Sequence, residues 1–81
     1  MNDDDVLKTI TVVFRDVLDQ PNLTLSPATT AHDVDGWDSL SHVQIVVAVE
    51  KRFQVRFTAK EIQKFNSVGE MAECISRKLT K

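Results

Sequence analysis

Residues 38–53 read Asp38-Ser39-Leu40-Ser41-His42-Val43-Gln44-Ile45-Val46-Val47-Ala48-Val49-Glu50-Lys51-Arg52-Phe53, and whether they form a strand or a helix decides the fold. The β-branched run Ile45-Val46-Val47 is compatible with a strand. The length of the segment and its continuation through Ala48–Arg52 favour a helix from Ser39 to about Phe53. Leu40, Val43, Val46 and Val47 trace one helical spacing, with Glu50 in register; Ile45, Ala48, Val49 and Phe53 trace another. More than half of the circumference is therefore apolar, so part of it faces a core and part is left exposed. The segment opens on Asp38-Ser39-Leu40. A serine there stands at a helix mouth beside backbone N–H groups without intrahelical acceptors, which suits an anionic group hung on its side-chain oxygen. Taken alone, the tripeptide reads first as a cap, because caps far outnumber modification sites at helix starts.

Outward from this segment the pattern stays helical. Val6, Leu7, Ile10, Val13, Phe14, Val17 and Leu18 recur on one face of a first helix. Asp3, Asp4 and Asp5 precede it, complementing its N-terminal dipole, and Pro21 stops it. A loop follows from about Gln20 to Asp38, with Leu23, Leu25 and Val34 as candidate anchors and Trp37 expected to fix it against the bundle. Loops of this length in so small a chain tend to be functional. After an extended link over residues 54–57, anchored by Val55 and Phe57, Thr58 and Glu61 form a capping box that starts a short helix, Ala59 to about Phe65, with Ile62 and Phe65 inward. Ser67 and Glu70 repeat the box for a last helix with Val68, Met71, Ala72, Ile75 and Leu79 on its apolar face, and Lys78 and Lys81 near its C-terminal end. The expected fold is all-α: a small four-helix bundle of three main helices and one short one, with a long first loop, as a single domain over residues 1–81.

The chain has 81 residues, 42% hydrophobic and 27% charged, an ordinary globular balance. A domain of this size buries only about 60–65% of its unfolded surface, which leaves little room for a deep enzyme cleft. Ten basic and twelve acidic residues give a net charge of −2, with no basic run to suggest nucleic acid. Cys74 is the only cysteine; it rules out an internal disulfide and a cysteine-rich metal site, fits a reducing compartment, and reads as a small core residue. The N-terminus lacks a basic n-region and an apolar stretch of signal length, and no run is long enough to cross a bilayer. A soluble, cytoplasmic monomer without nucleic-acid or membrane partners is expected.

Two chemistries can be set aside. Asp33-Val34-Asp35-Gly36 hints at a calcium loop, but an EF-hand counted from Asp33 would need a ligand at Trp37 and Glu at Gln44; no metal is expected. Ser39 with His32 or His42 might suggest a hydrolase, but Gly36 is three residues before the serine and Ser41 stands where the second glycine of a nucleophile elbow belongs. His42 reads as a surface residue one turn after Ser39, able to brush a group carried there.

With these elements laid out, Gly36-Trp37-Asp38-Ser39-Leu40, the helix ending Val49-Glu50-Lys51-Arg52-Phe53, Val55-Arg56-Phe57, and Phe65-Asn66-Ser67-Val68-Gly69-Glu70 together resemble the acyl carrier protein family, from about Val6 to Leu79. The resemblance implies that Ser39 carries 4′-phosphopantetheine through a phosphodiester, its terminal thiol holding an acyl chain as a thioester, and that the protein is a carrier and not an enzyme, with no catalytic residue of its own. It implies that Asp38 helps organise Mg²⁺ and coenzyme A in the complex with a phosphopantetheinyl transferase. It also implies that Leu40 and Val47, with Gln44 and Glu50 nearby, face partners such as acyltransferases and ketosynthases. Carriers of primary fatty-acid synthesis usually have several acidic residues along this helix; here Gln44 and Lys51-Arg52 stand instead, which favours a dedicated polyketide, specialised-lipid or related pathway, unless Lys51 and Arg52 are merely solvated charges at a helix end. Two other readings stay open: a peptidyl or aminoacyl carrier, and a helical interaction module without a prosthetic group.

Overall fold

The computed structural model describes residues 3–79. Four α-helices follow in chain order: α1 (Asp3–Leu18), α2 (Ser39–Phe53), α3 (Ala59–Gln63) and α4 (Val68–Leu79), with one 3-10 turn at Ala31–Asp33 inside the first loop. The all-α bundle with a long α1–α2 connection is the expected fold. α1 packs against both α2 and α4. Its stripe of Val6, Ile10, Val13 and Phe14 meets Ile45, Val46, Val49 and Phe53 of α2, and Val68, Met71, Cys74 and Ile75 of α4, in one buried cluster. Cys74 is a core residue, as its position on the stripe implies. Of the charge expected at the last helix end, Lys78 is described and Lys81 lies outside the described residues, as do Met1, Asn2 and Thr80.

The β-branched run resolves as helix because its two faces have different fates. Ile45, Val46 and Val49 are buried, whereas Leu40, Val43 and Val47 are 73%, 58% and 43% exposed. A strand would have sent alternate residues to opposite sides and split the buried set. α2 ends where Gln54 turns left-handed (φ 57°) and Val55 N–H donates back to Glu50 O at 3.1 Å, a helix-closing geometry more often built with glycine.

The first loop is tied down at both ends. Arg15 Nε donates to Leu23 O at 2.7 Å and Gln20 Nε2 to Asp35 O at 2.6 Å. Val34 and Trp37 are buried, and Leu23 and Leu25 pack on the core. At its middle the loop crosses the start of α4. Val68 N–H donates to Thr29 O and Gly69 N–H to Pro27 O, both at 2.8 Å, beside an isolated antiparallel bridge between Thr30 and Ser67. A Cβ on Gly69 would lie 2.6 Å from Pro27 O, so the close crossing is what requires glycine there.

Three local expectations need correction. α3 stops at Gln63, short of Phe65, because Lys64 N–H turns back to Glu61 O and Phe65 is drawn into the core. The Thr58–Glu61 box forms in full, with Glu61 N–H to Thr58 Oγ1 at 3.2 Å and Thr58 N–H to Glu61 Oε1 at 2.8 Å. The second box forms only in half. Glu70 N–H reaches Ser67 Oγ at 3.2 Å, but the Glu70 carboxylate accepts from Asn66 N–H, one residue before the cap, at 3.3 Å. The aspartates of α1 belong to its first turn and do not precede it.

Candidate functional site

The serines at positions 39 and 41 sit two residues apart and lead different lives. Ser41 is 8% exposed. Its hydroxyl accepts from Asp38 N–H at 2.8 Å and donates to Gly36 O at 2.5 Å, while Ser41 N–H donates to Asp38 Oδ1 at 3.0 Å. This reciprocal pair is the N-terminal cap of α2, and it locks the turn in which Gly36 adopts φ 86°. Ser39 is exposed at the first position of the helix, and among the described residues its hydroxyl makes no hydrogen bond. The capping duty that sequence reasoning gave Asp38 is met with Ser41 as its partner, which leaves Ser39 free for chemistry. The signal for this was present: Asp38 and Ser41 have the N-cap and N3 spacing.

The electrostatics of this corner follow from the cap. The Ser41 amide, first of all, holds the Asp38 carboxyl below the usual carboxylate range, helped by the Ser41 hydroxyl and the Leu40 amide. The first turn of α2 has no further acidic residue. The start of a fifteen-residue helix carries partial positive charge, so an anion on Ser39 is favoured there.

Beside Ser39 opens a cleft of about 660 Å³, with Asp38 on its rim and Thr30, His32, Trp37, His42, Ile62 and Phe65 among its walls. Trp37 is buried and meets Phe14 edge-on at 4.9 Å, anchoring the loop as expected. His42 departs from expectation. It is a half-buried wall residue and not a surface one. Its Nδ1 accepts from Trp37 Nε1–H at 3.0 Å, its Nε2 lies 3.4 Å from Ile62 O, and its ring stacks beside the indole. Sequence spacing set His42 one turn from Ser39 but held no sign of its bond to Trp37, which depends on how the loop folds back. His32 lines the same cleft from the 3-10 turn. Asp33, weighed as a calcium ligand, caps that turn by accepting from Thr30 N–H at 3.0 Å. No group of three or more potential metal ligands forms among the described residues.

On the outer face of α2, Leu40, Val43 and Val47 stand exposed next to Gln44. Glu50, expected on this face, is half-buried, and its carboxylate accepts from Phe57 N–H at 2.9 Å. Lys51 and Arg52 are exposed at the end of the helix. The far side of α3 is held by Glu61, whose Oε1 takes Lys78 Nζ at 3.1 Å and whose Oε2 accepts from the Cys74 thiol at 3.4 Å. The Thr58 amide and then Lys78 draw the Glu61 carboxyl down to about 2, while burial and Glu61 push the Cys74 thiol up. The chain's own thiol is therefore a buried, protonated group with little nucleophilic character.

The family model for the phosphopantetheine attachment site matches residues 8–75. An acyl carrier protein of Acidothermus cellulolyticus is 28% identical over 76 residues, 94% of this chain and 90% of the relative. One of Thermosynechococcus vestitus is 28% identical over 80 residues, 98% of each. Among solved structures, the solution NMR structure of a holo acyl carrier protein from Geobacter metallireducens superposes with a TM-score of 0.86 at 37% identity, over 93% of this chain and 86% of that one. No helix among the described residues is long and apolar enough to cross a membrane.

Proposed function

We infer that this chain, which belongs to the phosphopantetheine-attachment family of acyl carrier proteins, carries acyl groups as thioesters on a 4′-phosphopantetheine arm joined to Ser39 Oγ. It is a carrier and not an enzyme, and phosphopantetheine is the prosthetic group of its family. The observation that carries the assignment to Ser39 is the division of labour between the two serines: Ser41 is buried in the cap, and Ser39 is exposed with its hydroxyl unengaged. The site also fits the group. A phosphodiester at Ser39 would meet the positive end of α2, and the adjoining cleft would let an arm lie along Trp37, His42 and Ile62. The arm, when bound, supplies a thiol that can reach partner enzymes; the protein presents it and keeps Cys74 from competing.

Asp38 lies one residue from the hydroxyl with its charge retained by the cap, which supports a part in Mg²⁺ and coenzyme A recognition by a phosphopantetheinyl transferase. Leu40 and Val47, with Gln44 between them, are the surface we assign to acyltransferases, ketosynthases or other pathway enzymes. The Glu50 carboxylate is engaged by Phe57, so that surface is apolar with a basic end. This supports a dedicated polyketide or specialised-lipid pathway over general fatty-acid synthesis. Work as a monomer in the cytoplasm completes the reading.

The test is incubation with coenzyme A and a promiscuous phosphopantetheinyl transferase, followed by intact mass. A gain of one phosphopantetheinyl group is expected, absent in Ser39→Ala. No gain beside a competent control carrier would favour an interaction module instead. Loading of the holo chain only by an aminoacyl-adenylating enzyme would make it an aminoacyl carrier.

A further inference from the structure

His42 touches all three pieces around Ser39. It belongs to α2, one turn after the serine; it accepts from Trp37 of the loop; and it reaches the Ile62 carbonyl of α3. Its tautomer follows from the first contact. An indole N–H can only donate, so Nδ1 carries the lone pair and Nε2 carries the proton. That proton points at Ile62 O, a carbonyl in the last turn of α3 that also accepts Phe65 N–H at 3.3 Å and has a second lone pair to offer. α3 has five residues and none of them is fully buried; Ile62 packs on the core and Glu61 reaches Lys78 and Cys74 of α4, and His42 is the link from α2. The ring is further held between Trp37, near-parallel at 6.1 Å, and Phe65, edge-on at 6.5 Å.

We propose that His42, as the Nε2–H tautomer bridging Trp37 and the Ile62 carbonyl, is the positioning residue that sets the α3 wall of the cleft beside Ser39. It acts through α3 and Trp37 and takes no part in the chemistry at the hydroxyl. Its functional meaning rests on Ser39 as the attachment point, but the bridge can be tested without that. An enzyme docking over Ser39 must cover the cleft. If the wall is in register for only a fraction of the time, the apparent affinity falls by that fraction.

The first experiment reads the ring nitrogens of the full chain by ¹⁵N NMR in mildly alkaline solution. A lone pair on Nδ1 and a proton on Nε2 of His42 are expected; the opposite tautomer overturns the proposal. The second uses three variants. His42→Phe keeps the ring packing and removes both bonds. His42→Asn keeps an acceptor near Nδ1, and His42→Gln a donor near Nε2. Hydrogen exchange at the α3 amides and at the Trp37 indole should rise roughly two- to tenfold in His42→Phe, as for losing one hydrogen bond at each. The Asn variant should rescue the indole alone and the Gln variant α3 alone. A rise spread evenly over α1 and α4 would make His42 a packing residue and overturn the proposal. With coenzyme A and the transferase, His42→Phe should raise KM for the carrier roughly threefold with kcat unchanged; a fall in kcat at constant KM, or no change in either, overturns it. Loading that persists in Ser39→Ala would sink the attachment assignment while leaving the tautomer and exchange results intact.

Discussion

Ser39→Ala and Ser41→Ala differ by two residues and should behave as opposites. Ser41 Oγ makes two short hydrogen bonds, to Asp38 N–H and Gly36 O, from an 8%-exposed position. Each is worth about 1 kcal/mol net. Asp38 N–H also lies 3.2 Å from Gly36 O, so both groups keep a weaker partner and the loss stays near that figure. Alanine recovers about 0.5 kcal/mol of helix propensity. The net cost of Ser41→Ala is about 1.5 kcal/mol, which in a domain of this size lowers Tm by roughly 6–12 °C. Ser39→Ala removes an exposed hydroxyl without partners and should stay within about 0.5 kcal/mol of the parent. Urea unfolding at unchanged m-value measures both, and intact mass after transferase treatment measures loading. Ser41→Ala should load and be less stable; Ser39→Ala should be stable and fail to load. The reasoning is refuted if Ser41→Ala matches the parent in stability, or if Ser39→Ala loads.

Three other substitutions probe the frame that holds this site. Gly69→Ala should cost roughly 1–2 kcal/mol in urea unfolding, since its Cβ would meet Pro27 O at 2.6 Å and strain both 2.8 Å bonds between the loop and α4, against about 1 kcal/mol of helix propensity gained; a variant as stable as the parent refutes the close crossing. Gln54→Gly should add about 0.5 kcal/mol in the same assay, because an exposed residue at φ 57° gives up left-handed strain without losing packing. Glu61, drawn down to about 2, contributes stability that is fully present above the ordinary glutamate value and is lost as pH falls toward 2. The urea midpoints of the parent and Glu61→Gln should therefore differ at pH 6 and converge as the solution is acidified; a gap that widens in acid contradicts the linkage.

How far the fold was legible depends on whether its cause is local. The stripe Val6–Ile10–Val13–Phe14 and the Thr58–Glu61 box are set by spacing within one turn or a few, and they are found as expected. That part of α2 would stay exposed was foreseeable, but Val46, which shares a spacing with Leu40, Val43 and Val47, is buried with Ile45 and Val49, because the boundary depends on where α1 and α4 lie. The half-formed box at Ser67 was not legible. The chain enters α4 beside Thr30, 37 residues away in sequence, and there the Glu70 carboxylate meets Asn66 N–H. His42 was misjudged for the same reason. A histidine one turn into a helix reads as solvated until a loop brings an indole N–H to its ring.

These non-local contacts are also what make the corner around Ser39 a site. A capped helix start offers an anion partial charge, and many helices have one. Here the cap is drawn from Ser41 and Asp38, so the first residue of the helix is left out of it. The loop that precedes it is fixed by Trp37 against Phe14 and by Gln20 against Asp35, so the serine stands at a rigid corner. The short α3 opposite is tied to α4 through Glu61 and Lys78 and to α2 through His42. Glu61 also takes the Cys74 thiol, and Ile62, the next residue, packs on the core, so α3 is held on two faces at neighbouring residues. The serine that the cap leaves out therefore stands beside a cleft whose walls are drawn from three separated parts of the chain: Trp37 of the loop, His42 of α2 and Ile62 of α3.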